Sequence, residues 1–230
     1  MRRVVIAIDG PAASGKSSTA QWVSQRLGLR HIDSGALYRA ATAARLREAA
    51  ASSNAWNESD VLDAAKRLVR LAPAERAFVP YLDGKPAEDE IRGSHVTQHV
   101  STVARMPKVR EWVNQQVREA ARSHSVVVDG RDIGTVVFPD ADVKIFLVAD
   151  PWERARRRLT QQLQRAPTDD EIAEETDRLV HRDAKDAQQS GQAPDAVLLD
   201  TTYLTQEEQV DRIVALANAV TQRVDDTSTG

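Results

Sequence analysis

Residues 4 to 17 read VVIAIDGPAASGKS, an apolar run that ends in an acid, turns through a glycine-rich loop and enters the helical pattern SSTAQWVSQRL. No other stretch of the chain restricts the fold as strongly. G-x-x-x-x-G-K-S between a strand and a helix is a phosphate loop, because the backbone N–H groups of the loop and helix terminus converge on anionic oxygens. Gly10, Pro11, Ala12, Ala13, Ser14, Gly15, Lys16, Ser17 and Ser18 form the candidate triphosphate site. Lys16 has the length to reach β and γ oxygens, and the Ser17 hydroxyl suits Mg2+. The plainer reading is a glycine-rich turn closed by a capping serine, and the strand and helix on either side weigh against it.

Further apolar runs at 125–128, 143–148 and 196–199 join the first at 4–8 as predicted strands. Helical patterns fall at 16–27, 35–50, 59–71, 94–104, 107–122, 151–165, 169–184 and 205–222. Short unbroken apolar strands separated by helices predict an α/β fold with a parallel sheet flanked by helices. Pro107 and Pro151 sit where a first-turn proline belongs, and Asp150 can cap the helix it precedes. Between 51 and 95 the alternation breaks down, and FVPYLDGKPAE predicts a hairpin turning at Asp83 and Gly84. This segment reads as an insertion that binds substrate. The stretch from Arg165 to Asp170 is a second interruption, and the polar end at 225–230 predicts a disordered tail.

Composition removes several classes. A formal net charge of −3 argues against general nucleic-acid binding, which needs a basic face. With no cysteine, disulfides, thiol nucleophiles and cysteine zinc sites are excluded. The five histidines, His31, His95, His99, His124 and His181, follow no metal-binding spacing. No stretch approaches the roughly 20 apolar residues of a membrane span, so a cytoplasmic protein is expected.

A phosphate loop leaves GTPases, motors, ABC-type ATPases and small-molecule kinases open. Neither N-K-x-D nor L-S-G-G-Q occurs. The length favours a small kinase, whose acceptor lies at the carboxyl ends of the strands. VVVD at 126–129 ends a strand in Asp129, an acid placed to orient Mg2+ through its waters, unless it is a solvated turn acid. Arg131 follows, and a guanidinium there offers bidentate bonds to phosphate. DSGALYR at 33–39 is by itself a helix-capping pattern with a solvated arginine, but a second phosphate site would make Arg39 a partner of Arg131. Asp33 is a further candidate metal ligand. In ERARRRL, at 153–159, a charged helix face is the plain reading, while a phosphoryl-transfer enzyme would use Arg157 and Arg158 over the transferring group. No Ser-His-Asp arrangement or other general base stands out. A phosphate monoester, with its second pKa of about 6, needs none, so the acceptor is read as a phosphate rather than an alcohol.

The segments IDGPAASGKS, HIDSGALYRA, ARMPKVRE, VVVDGRDIGTVVFPDADVKIFL, ERARRR, HRDAKD and AVLLDTT occur in this order across nearly the whole chain. Together they resemble the bacterial cytidylate kinases. The resemblance implies a P-loop nucleoside monophosphate kinase core at 1–50 and 96–224, a monophosphate-binding insertion at 51–95 and a lid at 159–170. It implies transfer from ATP to CMP or dCMP with Mg2+. The charge and the short apolar runs lead to the expectation of a protein that binds neither nucleic acid nor membrane, and a monomer is expected. Ser34, Arg110 and Asp132 would lie at the cytosine with Ser101 close by, Arg39 and Arg131 at the acceptor phosphate, and Arg182 with Asp186 at the sugar. One departure stands out: the family has an arginine three residues after the sugar-binding acid, and here that position is Gln189, with Lys185 as the nearby cation. Alternatives are a UMP or dTMP kinase, and a P-loop switch that binds nucleotide without turnover.

Overall fold

The amino-terminal apolar run forms strand β1 (Val5–Asp9), and Ile6, Ala7 and Ile8 are fully buried, as a strand covered on both faces requires. Helix α1 (Lys16–Leu27) follows the glycine-rich loop and ends at Gly28, whose φ of 67° is the left-handed conformation of a helix stop. The computed structural model describes residues 3–49 and 56–227. It divides into one compact unit of Met1–Leu29 with Val127–Gly230 and another of Arg30–Val126. Residues 51–55 of the expected insertion lie outside the described residues.

The Arg30–Val126 unit opens with strand β2 (Arg30–Asp33) and helix α2 (Ser34–Ala49). Asp33 Oδ1 accepts the Ala36 N–H at 3.0 Å, which is the capping arrangement that DSGALYR suggests. Helix α3 (Glu58–Leu68), capped by Asn57, stops earlier than the pattern over 59–71 predicts. Its expected last turn is instead strand β3 (Val69–Pro73), antiparallel to β4 (Ala77–Leu82), with Val69 opposite Leu82 and Leu71 opposite Pro80. Arginine and leucine favour a helix locally, and pairing with β4 overrides that preference. β2 also escapes the sequence pattern: four residues carry little periodicity, and its partner is β4, with Ile32 opposite Phe78. β4 turns back into β5 (Lys85–Pro86) through Asp83 and Gly84, both at positive φ, 52° and 74°. That is the two-residue turn expected from Asp-Gly. Helices α4 (Glu88–Arg92), α5 (Ser94–Val103) and α6 (Pro107–Ala121) complete the unit, the last with its proline in the first turn.

The chain returns to the first unit along β6 (Val126–Gly130), which is buried throughout and runs into a π-helical turn, Ile133–Val137. Val137 N–H bonds the Asp132 carbonyl at 3.2 Å and Phe138 N–H bonds that of Ile133 at 2.7 Å, the five-residue spacing that defines such a turn. Strand β7 (Val143–Val148) leads to helix α7 (Pro151–Leu163), whose cap Asp150 accepts from Trp152 N at 2.9 Å. Helix α8 (Asp169–Asp186) starts with a capping box between Thr168 and Glu171. Strand β8 (Val197–Asp200) and helix α9 (Gln206–Thr227) close the chain. Of the 225–230 tail, the first three residues continue α9, and 228–230 lie outside the described residues.

Within this unit the sheet order is β6-β1-β7-β8, with β7 parallel to both β1 and β8. Ile6, Ile8, Val127, Ile145 and Leu147 meet Val23 of α1 and Val210 and Ile213 of α9 in one apolar cluster. Each fully buried side chain of this kind stabilises the fold by about 1.5–3 kcal/mol. A smaller cluster joins Ala155 and Leu159 of α7, Ile172 and Leu179 of α8, and Ala12 of the phosphate loop. Among the described residues no helix is long and apolar enough to cross a membrane.

Candidate functional site

The phosphate loop is built by backbone conformation. Gly10 has a φ of 155°, and a Cβ there would lie 2.4 Å from the Leu147 carbonyl oxygen, so the close pass under β7 admits only glycine. Gly15, at φ 85°, ends the loop as the N-cap of α1. The first bond of that helix is Thr19 N to Gly15 O at 2.9 Å, which leaves the Gly15, Lys16, Ser17 and Ser18 amides with no intrahelical acceptor. These donors and the positive end of the helix attract an anion. The Lys16 ammonium lies back over the loop, 3.1 Å from the Pro11 carbonyl oxygen.

β6 delivers its acid to the same loop. The Ser17 hydroxyl donates to Asp129 Oδ2 at 2.5 Å, and Asp129 is 1 % exposed. Among the described residues no three or more His, Asp or Glu side chains group into a metal site. A single hydroxyl and a carboxylate nevertheless suit Mg2+, which keeps several waters and takes its remaining oxygens from substrate phosphates. Arg131 Nη1 donates to the Gly10 carbonyl at 3.0 Å, and its Nε lies 3.5 Å from Asp186 Oδ2. Arg182 Nε approaches the same oxygen at 3.8 Å. Four residues singled out from sequence, Gly10, Arg131, Arg182 and Asp186, are therefore joined in one chain of contacts.

Asp132 is buried, and its carbonyl opens the π-helical turn. Beneath that turn lies Asp9, 4 % exposed, whose two oxygens accept the N–H groups of Ile133 at 2.9 Å and Gly134 at 2.8 Å. Burial pushes the Asp9 carboxyl up to about 6, and the nearby Asp132 charge adds to the rise. The two amides and Lys16 oppose it.

The arginines of ERARRR go to different places. Arg157 donates to the Thr201 and Thr202 carbonyls at 2.6 and 2.9 Å, and burial pushes its guanidinium below the usual arginine range. Arg158 pairs with Glu175 at 3.0 Å. Arg154, 4 % exposed, is the one whose bonds reach the phosphate loop: Nη1 donates to the Ala12 carbonyl at 2.8 Å and to Asp183 Oδ2 at 2.6 Å.

In the Arg30–Val126 unit, Ser34 is buried at the start of α2, and Arg39 one turn on donates to Ile91 O at 3.2 Å and Thr97 Oγ1 at 3.0 Å. Ser101 is half-buried on α5. Arg110 donates to Ala104 O at 3.0 Å, and its guanidinium lies 5.8 Å from the centre of the Tyr38 ring. Asp33, besides capping α2, has Arg92 at 3.6 Å. In the other unit, Gln189 ends a short 3-10 turn, Ala187–Gln189, after α8, and Lys185 is exposed.

Three buried or half-buried charged residues with evident structural work were not singled out from sequence: Asp9, which holds the π-helical turn, and Arg154 and Asp183, which hold the loop. A signal for Asp183 does exist. Along α8 the inward stripe runs Ile172, Glu175, Leu179, Asp183, Asp186 at helical spacing, so an acid occupies a position where an apolar side chain is expected. Asp9 carries a weaker signal, an acid ending a strand that is otherwise fully apolar.

A family model described as cytidylate kinase matches residues 6–219. A curated cytidylate kinase of Chlorobaculum tepidum is 39% identical over 229 residues, covering 96% of this chain and 95% of the relative. One of Geobacillus kaustophilus is 43% identical over 223 residues, covering 94% and 97%. Among solved structures, a shikimate kinase from Bacteroides thetaiotaomicron matches with a TM-score of 0.49 and 16% identity, covering 94% of this chain and 98% of that one.

Proposed function

Because the chain belongs to the cytidylate kinase family, we propose that it transfers the γ-phosphoryl group of ATP to the phosphate of CMP, giving ADP and CDP, with dCMP as a second acceptor. The observation that carries this reading is the pair of contacts by which the segment after β6 meets the phosphate loop, Asp129 to Ser17 and Arg131 to Gly10. An acid and an arginine held against a triphosphate cradle suit the transfer of a phosphoryl group to an anionic acceptor.

In the proposed reaction an acceptor phosphate oxygen bonds to the γ-phosphorus of ATP while the bond to the β–γ bridging oxygen breaks. No proton has to leave a dianionic acceptor, whose second pKa is about 6, so no general base is required. The amides that begin α1 hold the donor phosphates. Lys16, drawn off the Pro11 carbonyl, follows the charge that builds on the transferring group. Arg131 offsets repulsion between the two polyanions and aligns the acceptor with the γ-phosphorus. Mg2+ would be held by Ser17 and, through water, by Asp129, with Asp33 a weaker candidate because its carboxylate caps α2. When bound it neutralises charge on the β and γ oxygens.

The acceptor roles follow the family pattern: Arg39 with Arg131 for the phosphate, Arg182 and Asp186 for the sugar, and Ser34, Ser101, Arg110 and Asp132 for cytosine. Arg157 and Arg158 act at the transferring group in this reading. To do so, Arg157 has to exchange the Thr201 and Thr202 carbonyls, and Arg158 its Glu175 partner, for phosphate oxygens. The proposal also takes the protein as a cytoplasmic monomer, which sedimentation at working concentration checks. A coupled ADP-release assay over CMP, dCMP, UMP, AMP, GMP and dTMP tests the reaction. Turnover with CMP and dCMP well above the others is the expected result. Stoichiometric ATP binding with no CMP-dependent ADP release rejects it, and preference for UMP or dTMP reassigns the acceptor.

A further inference from the structure

Ala12 is the point of the phosphate loop whose backbone is most completely engaged by the rest of the unit. Its N–H donates to Asp183 Oδ1 at 3.0 Å, and its carbonyl accepts from Arg154 Nη1 at 2.8 Å. Those two side chains close on each other at 2.6 Å, and Arg154 Nε donates to Ala149 O at 3.1 Å, just beyond the end of β7. The Ala12 methyl, 2 % exposed, packs among Ala155, Leu159, Ile172 and Leu179. Donor, acceptor and side chain of one loop residue are thus all taken up by α7 and α8. α8 also reaches the loop one turn further on, where Asp186 holds Arg131 and Arg131 holds the Gly10 carbonyl.

An ion pair that only pinned two helices together would have no need of a loop's main-chain groups. Here the planar fork of Arg154 spans two carbonyls and a carboxylate, and the two oxygens of Asp183 divide between that fork and the Ala12 amide. The amides that face an incoming phosphate begin just after this fixed point. Displacement of Ala12 turns them away from the anion, and mispositioning by about 1 Å costs on the order of 100-fold in rate when it falls on reacting groups.

We propose that Arg154 and Asp183 are positioning residues for the donor triphosphate: acting through the Ala12 backbone, they hold the phosphate loop in its anion-binding shape against α7 and α8. This rests on the kinase reading above, but its first readout does not need turnover. Titration calorimetry with a non-hydrolysable ATP analogue measures the loop directly, and steady-state kinetics then follow kcat and both KM values.

Asp183→Ala should weaken analogue binding about tenfold or more, a loss of roughly 1.4 kcal/mol. It should lower kcat and raise KM for ATP more than KM for CMP. Asp183→Asn, which keeps an oxygen for the Ala12 N–H, should recover most of the analogue affinity. Should Asp183→Ala not fold, Arg154→Lys serves, since an ammonium retains the charge but cannot span Ala149 O, Ala12 O and Asp183 together; it should weaken analogue binding at least several-fold. Variants that melt earlier, yet bind the analogue and turn over as the parent does at a temperature where all are folded, would overturn the proposal. Equal changes in KM for ATP and CMP with unaltered analogue binding would overturn it too. A parent protein that binds the analogue but phosphorylates no acceptor sinks the kinase reading while leaving the binding comparison to judge the pair.

Discussion

In the unit that contains the phosphate loop, Arg131 and Arg154 hold the carbonyls of Gly10 and Ala12, which are the loop itself. In the Arg30–Val126 unit, Arg39 and Arg110 hold the carbonyls of Ile91 and Ala104, which lie at the carboxyl ends of α4 and α5. The bonds are of similar length but do different work. Carbonyls at a helix end lack intrahelical partners, and water can replace an arginine there. The donor side is therefore shaped by the fold before any nucleotide arrives. If Arg39 and Arg110 serve the acceptor as proposed, they can exchange these helix-end carbonyls for phosphate or base. In the proposed reading, removing an arginine that holds the loop should therefore disturb the donor as well, and removing Arg39 or Arg110 should act on acceptor binding alone.

The largest expected effect is that of Lys16→Met. Its ammonium lies on the Pro11 carbonyl and the loop is built by backbone, so the fold and melting temperature should be nearly unchanged while kcat falls by about 1000-fold or more. Single-turnover kinetics measure this, and turnover near that of the parent would remove the loop from the mechanism. Next is base selection. In the proposed reading a carboxylate at position 132 only accepts and a guanidinium at 110 only donates, which would match the C4 amine and the N3 and O2 acceptors of cytosine and mismatch uracil at C4 and N3. Asp132→Ala should narrow the CMP-to-UMP ratio of kcat/KM by about 100-fold, mostly through loss with CMP. An unchanged ratio would assign base reading elsewhere.

A more moderate effect sharpens the contrast between the units. Arg39→Ala should raise KM for CMP about tenfold with KM for ATP nearly constant, since in the proposed reading its guanidinium holds the acceptor phosphate. Arg131→Ala, which also releases the Gly10 carbonyl, should disturb both nucleotides. Identical kinetic patterns in the two variants would erase the distinction.

The smallest effect is on stability. Asp9 has its carboxyl raised from 3.8 to about 6 in the folded protein, chiefly by burial, so folding favours its neutral form. That contribution is complete below pH ~4 and is lost as pH rises through about 6. Relative to Asp9→Asn, the parent should gain roughly 1 to 3 kcal/mol as pH falls from 7 to 4, read from denaturant unfolding at several pH values. A pH-independent difference would mean that the Ile133 and Gly134 amides keep Asp9 charged in the fold.

Much of the donor half was legible because its requirements are local. Gly10 and Gly15 stand where the chain needs positive φ, Lys16 and Ser17 where a helix begins, and the unbroken runs of β1, β6 and β7 can only be buried strands. Asp83-Gly84 encoded its own hairpin for the same reason. The strand ending in Asp129 was legible too, and Asp129 and Arg131 lie in contact with Ser17 and Gly10 of the loop.

The sequence by itself determined those local conformations and, through seven segments in family order, the family. Only the tertiary structure decided that Val69–Pro73 is a strand, since nothing in VRLAP outweighs helical periodicity until β4 lies beside it. It alone decided which arginine of ERARRR meets the loop, and that Asp183, 171 residues from Ala12 along the chain, accepts its amide. Local sequence sets backbone torsions, because those depend on a residue and its immediate neighbours. The partner of a charged side chain depends on which distant elements the burial of apolar faces brings alongside it, and no short stretch carries that information.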